Sequence, residues 1–341
     1  MKVNNIIIVG GGTAGFMTAS TLLKVFPEKK ITLIESPTIQ TVGVGESTLQ
    51  SMKQWFALVG IGDEFMKHCN ATYKFGIRFT NFYRKDSGYF DYPFGRLESG
   101  FDLNLWHIKR ITEPSTKVTD YADSFYPMQT LINTNKVIDK LDGFNFNTDV
   151  AYHFEAEKFG SWLRDNICIP NGLIHIKSEV RKINVDNDGI KSLELDNGKT
   201  MTADLFIDCT GFKSLLLGKT LDEEFIPLDD IIPNNMAWAT HIEYTDKKKQ
   251  LVPFTNSTAI GNGWVWNIPL WKNIGTGYVY SNKYISDEEA LEEFKNHLVN
   301  IKKYDIKNCK FKQIPMRVGI YRRLFVKNVC AIGLSAGFIE P

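Results

Sequence analysis

The chain has 341 residues, of which 43% are hydrophobic and 23% charged, and this usage is typical of a globular protein with a sizeable core. Its formal net charge of +1 gives no reason to expect nucleic acid or an anionic membrane as a partner. No apolar stretch approaches the roughly 20 residues that span a bilayer, and the chain enters an apolar strand at once instead of a signal peptide, so no membrane contact is expected.

The cysteines and histidines of the sequence bear on the cellular location of the protein and on metal binding. The five cysteines are odd in number and show no Cys-x-x-Cys spacing, which indicates reduced thiols in a cytoplasmic protein. The two nearest histidines, His153 and His175, are 22 residues apart, so no local pair of metal ligands is visible and no metal is expected.

The first predicted elements form a βαβ unit. The apolar run Asn5–Val9 predicts a strand, and a helix is predicted over Phe16–Phe26, just before Pro27. A second strand, Ile31–Ile34, ends at Glu35, 20 residues after Gly15. In dinucleotide-binding units an acid at this spacing accepts hydrogen bonds from a ribose.

The glycine-rich turn between strand and helix supplies the phosphate-binding chemistry. Gly10 permits the tight turn, Gly12 lets a pyrophosphate approach the backbone, and Gly15 lets helix and strand pack closely. With Thr13 and Ala14, the helix start presents free N–H groups to the phosphates. The fingerprint predicts a dinucleotide site, and by itself it leaves nicotinamide and flavin cofactors both open.

Two later segments repeat the design of a strand followed by glycine. They are Asp204–Gly211 and Val329–Gly337. Such strands are expected to return to the nucleotide-binding sheet after inserted segments. The alternative for each is a buried strand and turn with no role in cofactor binding.

Five blocks of the sequence resemble the flavin-dependent halogenases. The most specific is Gly263–Leu270, which contains the Trp-x-Trp-x-Ile-Pro pattern. The five blocks are Val42–Thr48, Ala71–Phe79, Tyr152–Ala156, Gly263–Leu270 and Gly333–Pro341. Hydroxylases of the related monooxygenase fold usually have Gly-Asp at Gly333-Leu334, and this difference favours the halogenases.

The resemblance implies an α/β fold with a doubly wound, Rossmann-like FAD-binding module and an inserted substrate-side β-sheet. We expect residues 1–80, 150–220 and 310–341 to form the FAD-binding module, and residues 81–149 and 221–309 to form the substrate side. The resemblance further implies that the chain is truncated: a largely helical C-terminal part, which members of the family have, is expected to be missing after Pro341.

The implied activity is a two-component halogenase. Reduced FAD, dioxygen and a halide ion would give hypohalous acid, which would halogenate an electron-rich aromatic small molecule of indole, phenol or pyrrole type. A separate NAD(P)H-dependent flavin reductase is expected because no second dinucleotide fingerprint is present. An aromatic monooxygenase (hydroxylase) on the same fold is the alternative, and a truncated, inactive flavin-binding protein is a third. Monomer and homodimer are both left open.

The resemblance also assigns site residues. Lys74 and Glu340 are implied to be catalytic, Tyr92 and Phe94 to face the substrate, and Trp264 with Trp266 to wall off a dry passage for hypohalous acid. The residues implied to bind the cofactor are Gly10, Gly12, Thr13, Ala14, Gly15, Glu35, Gly333 and the flavin-strapping segment Val44, Gly45, Glu46 and Ser47. Tyr92 stands where the tryptophan-specific members have histidine, which argues against free tryptophan as the substrate.

The setting of Lys74 supports its assignment. Strand alternation puts Tyr73 and Phe75 on the opposite face, which is the expected core face, so the lysine face should open to a cavity or to bulk water. In apolar surroundings a lysine pKa is lowered, which makes the amine available to hypohalous acid. The alternative is a solvated strand lysine.

Overall fold

The structure, a computed structural model, describes residues 3–39, 43, 45–95, 103–117, 119–137, 140–141 and 144–339. The chain divides into two compact units. The first unit comprises Met1–Gly43, Ala156–Asn235 and Pro315–Pro341, and the second comprises Val44–Glu155 and Met236–Ile314. These bounds differ from those expected for the FAD-binding module. The first unit does not include three ranges that were expected in that module, residues 44–80, 150–155 and 310–314. It does include residues 221–235, which were expected on the substrate side. Which residues form the flavin-binding module stays a prediction.

The strands of the described residues are numbered in chain order. They are β1 (Asn5–Val9), β2 (Lys30–Glu35), β3 (Glu46–Ser47), β4 (Thr72–Lys74), β5 (Gly76–Thr80), β6 (Tyr89–Pro93), β7 (Lys140–Leu141), β8 (Phe144–Asn145), β9 (Ala151–Phe154), β10 (Ile174–Lys177), β11 (Val180–Asp186), β12 (Gly189–Leu195), β13 (Thr200–Met201), β14 (Leu205–Asp208), β15 (Phe225–Pro227), β16 (Met236–Glu243), β17 (Phe254–Ile260), β18 (Gly263–Pro269), β19 (Asn273–Tyr280), β20 (Lys312–Pro315), β21 (Gly319–Tyr321), β22 (Phe325–Val326), β23 (Val329–Ala331) and β24 (Gly337–Phe338).

The α-helices of the described residues are numbered in the same way. They are α1 (Thr13–Val25), α2 (Ser51–Val59), α3 (Phe65–His68), α4 (Leu103–Thr112), α5 (Asp120–Phe125), α6 (Pro127–Thr134), α7 (Phe146–Asp149), α8 (Ala156–Leu163), α9 (Lys247–Gln250) and α10 (Asp287–Asn296). Short π-helical segments, Arg164–Cys168 and His297–Ile301, continue α8 and α10, and 3₁₀ turns lie at Gly211–Lys213 and Gly333–Ser335.

The first unit is built on a six-stranded sheet with the order β10-β2-β1-β14-β23-β22. The pairs from β10 to β23 are parallel, and β22 joins as an antiparallel edge strand. Strand β1 is buried along Ile6–Val9, as continuous apolar strands of parallel sheets are. Two small antiparallel sheets, β11-β12-β13 and β15-β21-β24, complete this unit. The predicted α/β class and the predicted strands around the glycine turns are confirmed.

Helix α1 begins earlier than the sequence predicted. The predicted start was Phe16, whereas the helix runs from Thr13 to Val25 and has Gly12 as its N-cap. The end of the fingerprint therefore lies in the first helical turn. In that turn Gly15 lies against the backbone of Gly10.

The second unit is built on a seven-stranded sheet with the order β20-β16-β19-β18-β17-β5-β6. Strands β16 to β19 pair antiparallel, and β17 pairs parallel with β5. A three-stranded sheet, β3-β9-β4, lies in the same unit, and β9 is its central strand. All four residues of β9 are buried, so any polar side chain on it must find partners inside the protein.

Candidate active site

The glycine-rich turn of the first unit is fixed by close backbone approaches. Gly10 has a φ of +119°, and a Cβ there would lie 2.1 Å from the carbonyl oxygen of Cys209. A Cβ on Gly15 would lie 2.0 Å from the carbonyl oxygen of Gly10. Helix α1 starts directly after its N-cap residue, Gly12, which forms no side-chain capping hydrogen bond. Its first turn therefore has the uncapped N–H groups and the positive dipole end that a pyrophosphate needs.

Glu35 lies beside this turn at the end of β2. Its Cγ would be 2.3 Å from a Cβ on Gly11, so only glycine leaves room for the side chain. The Nε2 atom of His175 lies 2.7 Å from one Glu35 oxygen, Oε2. His175 is thus placed to fix the orientation of the carboxylate at the edge where a ribose is predicted.

The two later glycine turns meet in the first unit. Gly333 has a φ of +70°, and a Cβ there would lie 2.9 Å from the Cβ of Ala14 at the start of α1. The Ser335 hydroxyl donates to the carbonyl of Gly211 at 3.2 Å, and the Ser214 hydroxyl donates to the carbonyl of Ser335 at 2.9 Å. The turns after β14 and β23 are therefore bonded to each other, and Gly333 brings the second of them against the fingerprint helix.

Asp208 has a structural role at the end of β14. It is fully buried, and its Oδ1 atom accepts hydrogen bonds from the backbone and hydroxyl of Thr210 at 3.0 and 2.7 Å. Its Oδ2 atom accepts from the backbone N–H groups of Leu216 and Leu217 at 2.7 and 3.0 Å. The acid that ends this strand therefore shapes the following turn.

In the second unit, the described part of the predicted flavin strap is held by β9. Glu46 and Ser47 form β3 and pair with Phe154 and His153, respectively. Gly45 has a φ of +98°, and a Cβ there would lie 3.5 Å from Leu270 and 3.8 Å from both Ile268 and Gly275.

Lys74 ends β4 and is 1% exposed. Its Nζ atom donates a hydrogen bond to the carbonyl of Thr48 at 2.9 Å and lies 5.1 Å from the centre of the Phe94 ring. Burial lowers the pKa of the Lys74 amine to about 7. The alternative of a solvated strand lysine is wrong, because the Lys74 side chain is buried. The strand is interrupted at Phe75, which is also fully buried, so two successive side chains both point into protein.

A largely buried chain of hydrogen bonds runs past Lys74. His153 on β9 contacts the hydroxyl of Thr255 through Nε2 at 2.9 Å and the hydroxyl of Thr72 through Nδ1 at 3.1 Å. The Thr255 hydroxyl lies 2.6 Å from the Ser47 hydroxyl, and the Thr72 hydroxyl donates to the carbonyl of Pro269 at 2.6 Å. We call this set, Ser47, Thr255, His153, Thr72 and Pro269, the hydroxyl–imidazole chain.

Trp264 and Trp266 lie side by side on β18. Their ring centres are 6.2 Å apart, and the ring planes make an angle of 60°. The Trp266 ring packs directly on Gly277, where a Cβ would be 2.2 Å from two of its ring carbons. Phe82 extends the aromatic surface, with its ring centre 6.4 Å from that of Trp264.

Tyr92 and Phe94 differ in exposure although they are only two residues apart. Tyr92 on β6 is 59% exposed, whereas Phe94, just after β6, is 2% exposed. Their ring centres are 6.4 Å apart. Phe94 covers the amine of Lys74, and Tyr92 faces solvent.

A family model for tryptophan halogenase matches residues 5–341 of this chain. The chain belongs to the tryptophan halogenase family. Tryptophan 7-halogenase RebH of Lentzea aerocolonigenes is 35% identical over 361 residues, which cover 100% of this chain and 66% of that protein. Tryptophan 6-halogenase ThaL of Streptomyces albogriseolus is 33% identical over 360 residues, with the same coverage of 100% and 66%. The chain thus spans just under two thirds of the length of these curated relatives.

Solved structures have the same fold as this chain. The apo structure of VirX1 superposes with a TM-score of 0.93 at 41% identity, covering 100% of this chain and 66% of that one. The tryptophan 6-halogenase SttH of Streptomyces toxytricini superposes with a TM-score of 0.88 at 35% identity, covering 99% of this chain and 68% of that one. The resemblance predicted from the sequence blocks is confirmed at the level of family and fold.

The structure groups the predicted site residues by unit. In the first unit it brings together Gly10, Gly12, Thr13, Ala14, Gly15, Glu35 and Gly333. In the second unit lie Gly45, Glu46, Ser47, Lys74, Tyr92, Phe94, Trp264 and Trp266. The predicted residues Val44 and Glu340 lie outside the described residues.

Two histidines were missed by the sequence analysis. His153 stands in the block Tyr152–Ala156 but was given no role, although a histidine inside a strand of buried apolar residues signals an internal polar partner. His175 offered no signal, because its pairing with Glu35 depends on the alignment of β10 with β2.

Two kinds of feature are absent from the described residues. No helix among them is long and apolar enough to cross a bilayer. The same part of the chain contains no cluster of three or more His, Cys, Asp or Glu side chains arranged to hold a metal ion.

Proposed function

We propose that this protein is an FAD-dependent halogenase that uses dioxygen and a halide ion to halogenate an electron-rich aromatic ring of indole, phenol or pyrrole type. The observation that carries this proposal is the buried primary amine of Lys74, whose pKa is lowered to about 7, in a chain of the tryptophan halogenase family. The relatives RebH and ThaL are named tryptophan 7- and 6-halogenases, which supports an aromatic ring as the substrate.

The first unit supplies a fitting cradle for FAD. The overlap that a Cβ would cause at Gly10 and Gly15, together with the uncapped N-terminus of α1, fits a pyrophosphate held by residues 10–15. Glu35 would bind the ribose, and Gly333 with the segment Val44–Ser47 would contact the cofactor further along. When bound, reduced flavin supplies hypohalous acid from dioxygen and halide.

Lys74 is the residue proposed to handle hypohalous acid. With a pKa of about 7, a large fraction of the amine is uncharged at neutral pH. An uncharged amine can accept a hydrogen bond from hypohalous acid or carry the halogen, and a charged one can donate to its oxygen. Phe94, 5.1 Å from Nζ, keeps water away from the amine. Glu340 is proposed to accept the proton that the ring loses after halogen adds.

The remaining assigned residues would guide hypohalous acid from the flavin to the substrate. The paired rings of Trp264 and Trp266 are proposed to line the passage between flavin and substrate, because a hydrophobic wall excludes nucleophiles that would consume hypohalous acid. Tyr92 is proposed to face the aromatic substrate. A separate NAD(P)H-dependent flavin reductase and a cytoplasmic location belong to the same proposal, and monomer and homodimer remain open alternatives.

The test is mass spectrometry on a mixed panel of indoles, phenols and pyrroles. The protein is incubated with FAD, a flavin reductase, NADH and bromide, in parallel with Lys74→Met. The proposal predicts a bromine isotope doublet on at least one ring class that disappears in the variant. A product that gains only oxygen would show a hydroxylase instead, and the absence of any brominated product from a protein that binds FAD would contradict the proposal.

A further inference from the structure

The hydroxyl–imidazole chain has a direction that its end groups determine. The carbonyl of Pro269 can only accept, so the Thr72 hydroxyl must donate to it. The Thr72 oxygen is then left to accept a hydrogen bond, and its neighbour is Nδ1 of His153 at 3.1 Å. Nδ1 therefore carries a proton.

The other half of the chain follows from the neutrality of the ring. Burial and the neighbouring Lys74 lower the pKa of His153 well below its usual range, so the imidazole is neutral and Nε2 has a lone pair. Nε2 must accept from the Thr255 hydroxyl at 2.9 Å, and the Thr255 oxygen then accepts from the Ser47 hydroxyl at 2.6 Å. Donation runs from Ser47 through Thr255 to His153 on one side, and from His153 through Thr72 to Pro269 on the other.

Both ends of the chain meet the surroundings of Lys74. Thr72 is two residues before Lys74 on β4, so the two side chains lie on the same face of the strand. Ser47 directly precedes Thr48, whose carbonyl accepts the hydrogen bond from the Lys74 amine. His153 is the cross-strand partner of both Thr72 and Ser47 in the sheet β3-β9-β4. The imidazole thus ties together the strand that carries the amine and the strand that leads to its acceptor.

The backbone around the acceptor is held from β9 as well. The Thr48 hydroxyl donates to the carbonyl of Tyr152 at 2.9 Å and accepts from the N–H of Tyr152 at 2.9 Å. Tyr152, on the opposite face from His153, packs against Phe56 and Phe65 with ring centres 5.3 and 5.2 Å away. Strand β9 is therefore a fixed support, and its His153 acts on the two partners of the Lys74 hydrogen bond indirectly, through Thr72 on one side and through Thr255 and Ser47 on the other.

We propose that His153, as the neutral Nδ1–H tautomer, is a positioning residue that fixes the Lys74 amine against the Thr48 carbonyl. Only the catalytic consequence of this positioning rests on the proposed function of Lys74. The geometric claim, that the imidazole holds the amine in place through Ser47 and Thr255 on one side and Thr72 on the other, is independent of what the protein catalyses.

The tautomer is tested first, by ¹⁵N NMR of the protein labelled at histidine, with His153→Gln identifying the signal. The expected spectrum shows protonated Nδ1 and unprotonated Nε2 for His153 at pH 7. This is the opposite of the Nε2–H tautomer that free histidine favours, so a default signal cannot be mistaken for support. A signal from an Nε2–H or a doubly protonated ring would overturn the proposal.

The positioning is tested by the reactivity of the Lys74 amine towards reductive methylation, mapped by peptide mass spectrometry. Thr255→Val keeps the shape of the side chain and removes the hydroxyl between Ser47 and His153, whereas Thr255→Ser keeps the hydroxyl. We expect methylation of Lys74 to be faster by about three- to tenfold in Thr255→Val, the equivalent of one hydrogen bond, and unchanged in Thr255→Ser.

A matched control lies on the same strand. Thr258 is 5% exposed, compared with 6% for Thr255, and its hydroxyl bonds to Asn256 at 3.3 Å outside the chain. Thr258→Val should leave the methylation of Lys74 near the wild-type rate. Equal acceleration in Thr258→Val and Thr255→Val, or no acceleration in Thr255→Val, would overturn the proposal. Because neither readout needs halogenation, failure of the proposed function alone would leave both results intact.

Discussion

The glycine-rich turns of the first unit and the hydroxyl–imidazole chain of the second unit are organised by different means. The turns are fixed by the backbone: Gly10 and Gly15 stand where any side chain would overlap a carbonyl oxygen. The hydroxyl–imidazole chain is fixed by four side chains and one backbone carbonyl from five separate stretches, which strand pairing brings together around His153. A backbone site therefore has a local sequence signature, whereas a side-chain site of this kind exists only after the sheet has formed.

The two regions should also fail differently when altered. A side chain added to a glycine turn meets backbone that cannot move aside, so both stability and cofactor binding should be lost together. A hydroxyl removed from the chain leaves the fold in place and costs about one hydrogen bond.

Gly10→Ala should lower the free energy of unfolding by about 3 kcal/mol or more and abolish FAD binding. The reason is the combination of a φ of +119° with a Cβ 2.1 Å from the Cys209 carbonyl oxygen. Gly198→Ala is the matched control, because Gly198 also has a positive φ, +80°, but has open space around its Cβ position. Urea unfolding should show a loss of about 1–2 kcal/mol for the control. Equal losses in the two variants would show that backbone overlap does not define the turn.

Lys74→Met should raise the free energy of unfolding at pH 7, by on the order of 2 kcal/mol. The folded pKa of about 7 lies below the usual lysine value of 10.5, so the unfolded chain binds more protons between these values. The destabilisation from Lys74 is therefore full below pH 7 and fades as the pH rises towards 10.5. The gain of the variant should shrink over the same range in urea unfolding at a series of pH values.

Lys53→Met in the same unit is the comparison for that prediction. The Lys53 amine lies 3.7 Å from Asp63 and over the rings of Phe146 and Tyr152 at 5.0 and 4.9 Å. Because this amine has a carboxylate partner, its removal should decrease stability, by about 1 kcal/mol or less. If Lys74→Met also decreased stability at pH 7, the buried amine would not be the unfavourable group that the structure indicates.

His175→Ala should weaken FAD binding by about three- to tenfold without changing the fold. The 2.7 Å contact from His175 orients the Glu35 carboxylate, and a free carboxylate must be ordered again when the ribose binds. Fluorescence titration with FAD measures the effect, and His175→Gln, which keeps a donor, should recover part of the affinity. Unchanged FAD affinity in His175→Ala would exclude an orienting role for this histidine.

The sequence predicted most of what depends on local backbone. The run Asn5–Val9, the glycines after it and Glu35 share one βαβ unit, so spacing alone predicted their arrangement. The start of α1 was placed three residues late, because hydrophobic periodicity begins at Phe16 although the helical backbone begins at Thr13. Family and fold class also followed from recognisable blocks.

The parts that the sequence did not predict depend on tertiary register. The contact from His175 to Glu35 needs the parallel pairing of β10 with β2, strands that are 140 residues apart at this contact. The chain through His153 needs β17 beside the sheet β3-β9-β4, and nothing in the spacing of Thr255 indicates that. Alternation along residues 72–79 was also insufficient for Lys74, because the interruption at Phe75 buries neighbouring residues on both faces.

The most direct test of the role of Lys74 compares wild type and Lys74→Met in a bromination assay that measures both the brominated ring and the hypobromous acid released to an added scavenger. We expect the variant still to oxidise reduced FAD and to release hypobromous acid, while ring bromination falls by about 100-fold or more. Ring bromination at the wild-type rate in Lys74→Met would contradict the central role of the buried amine.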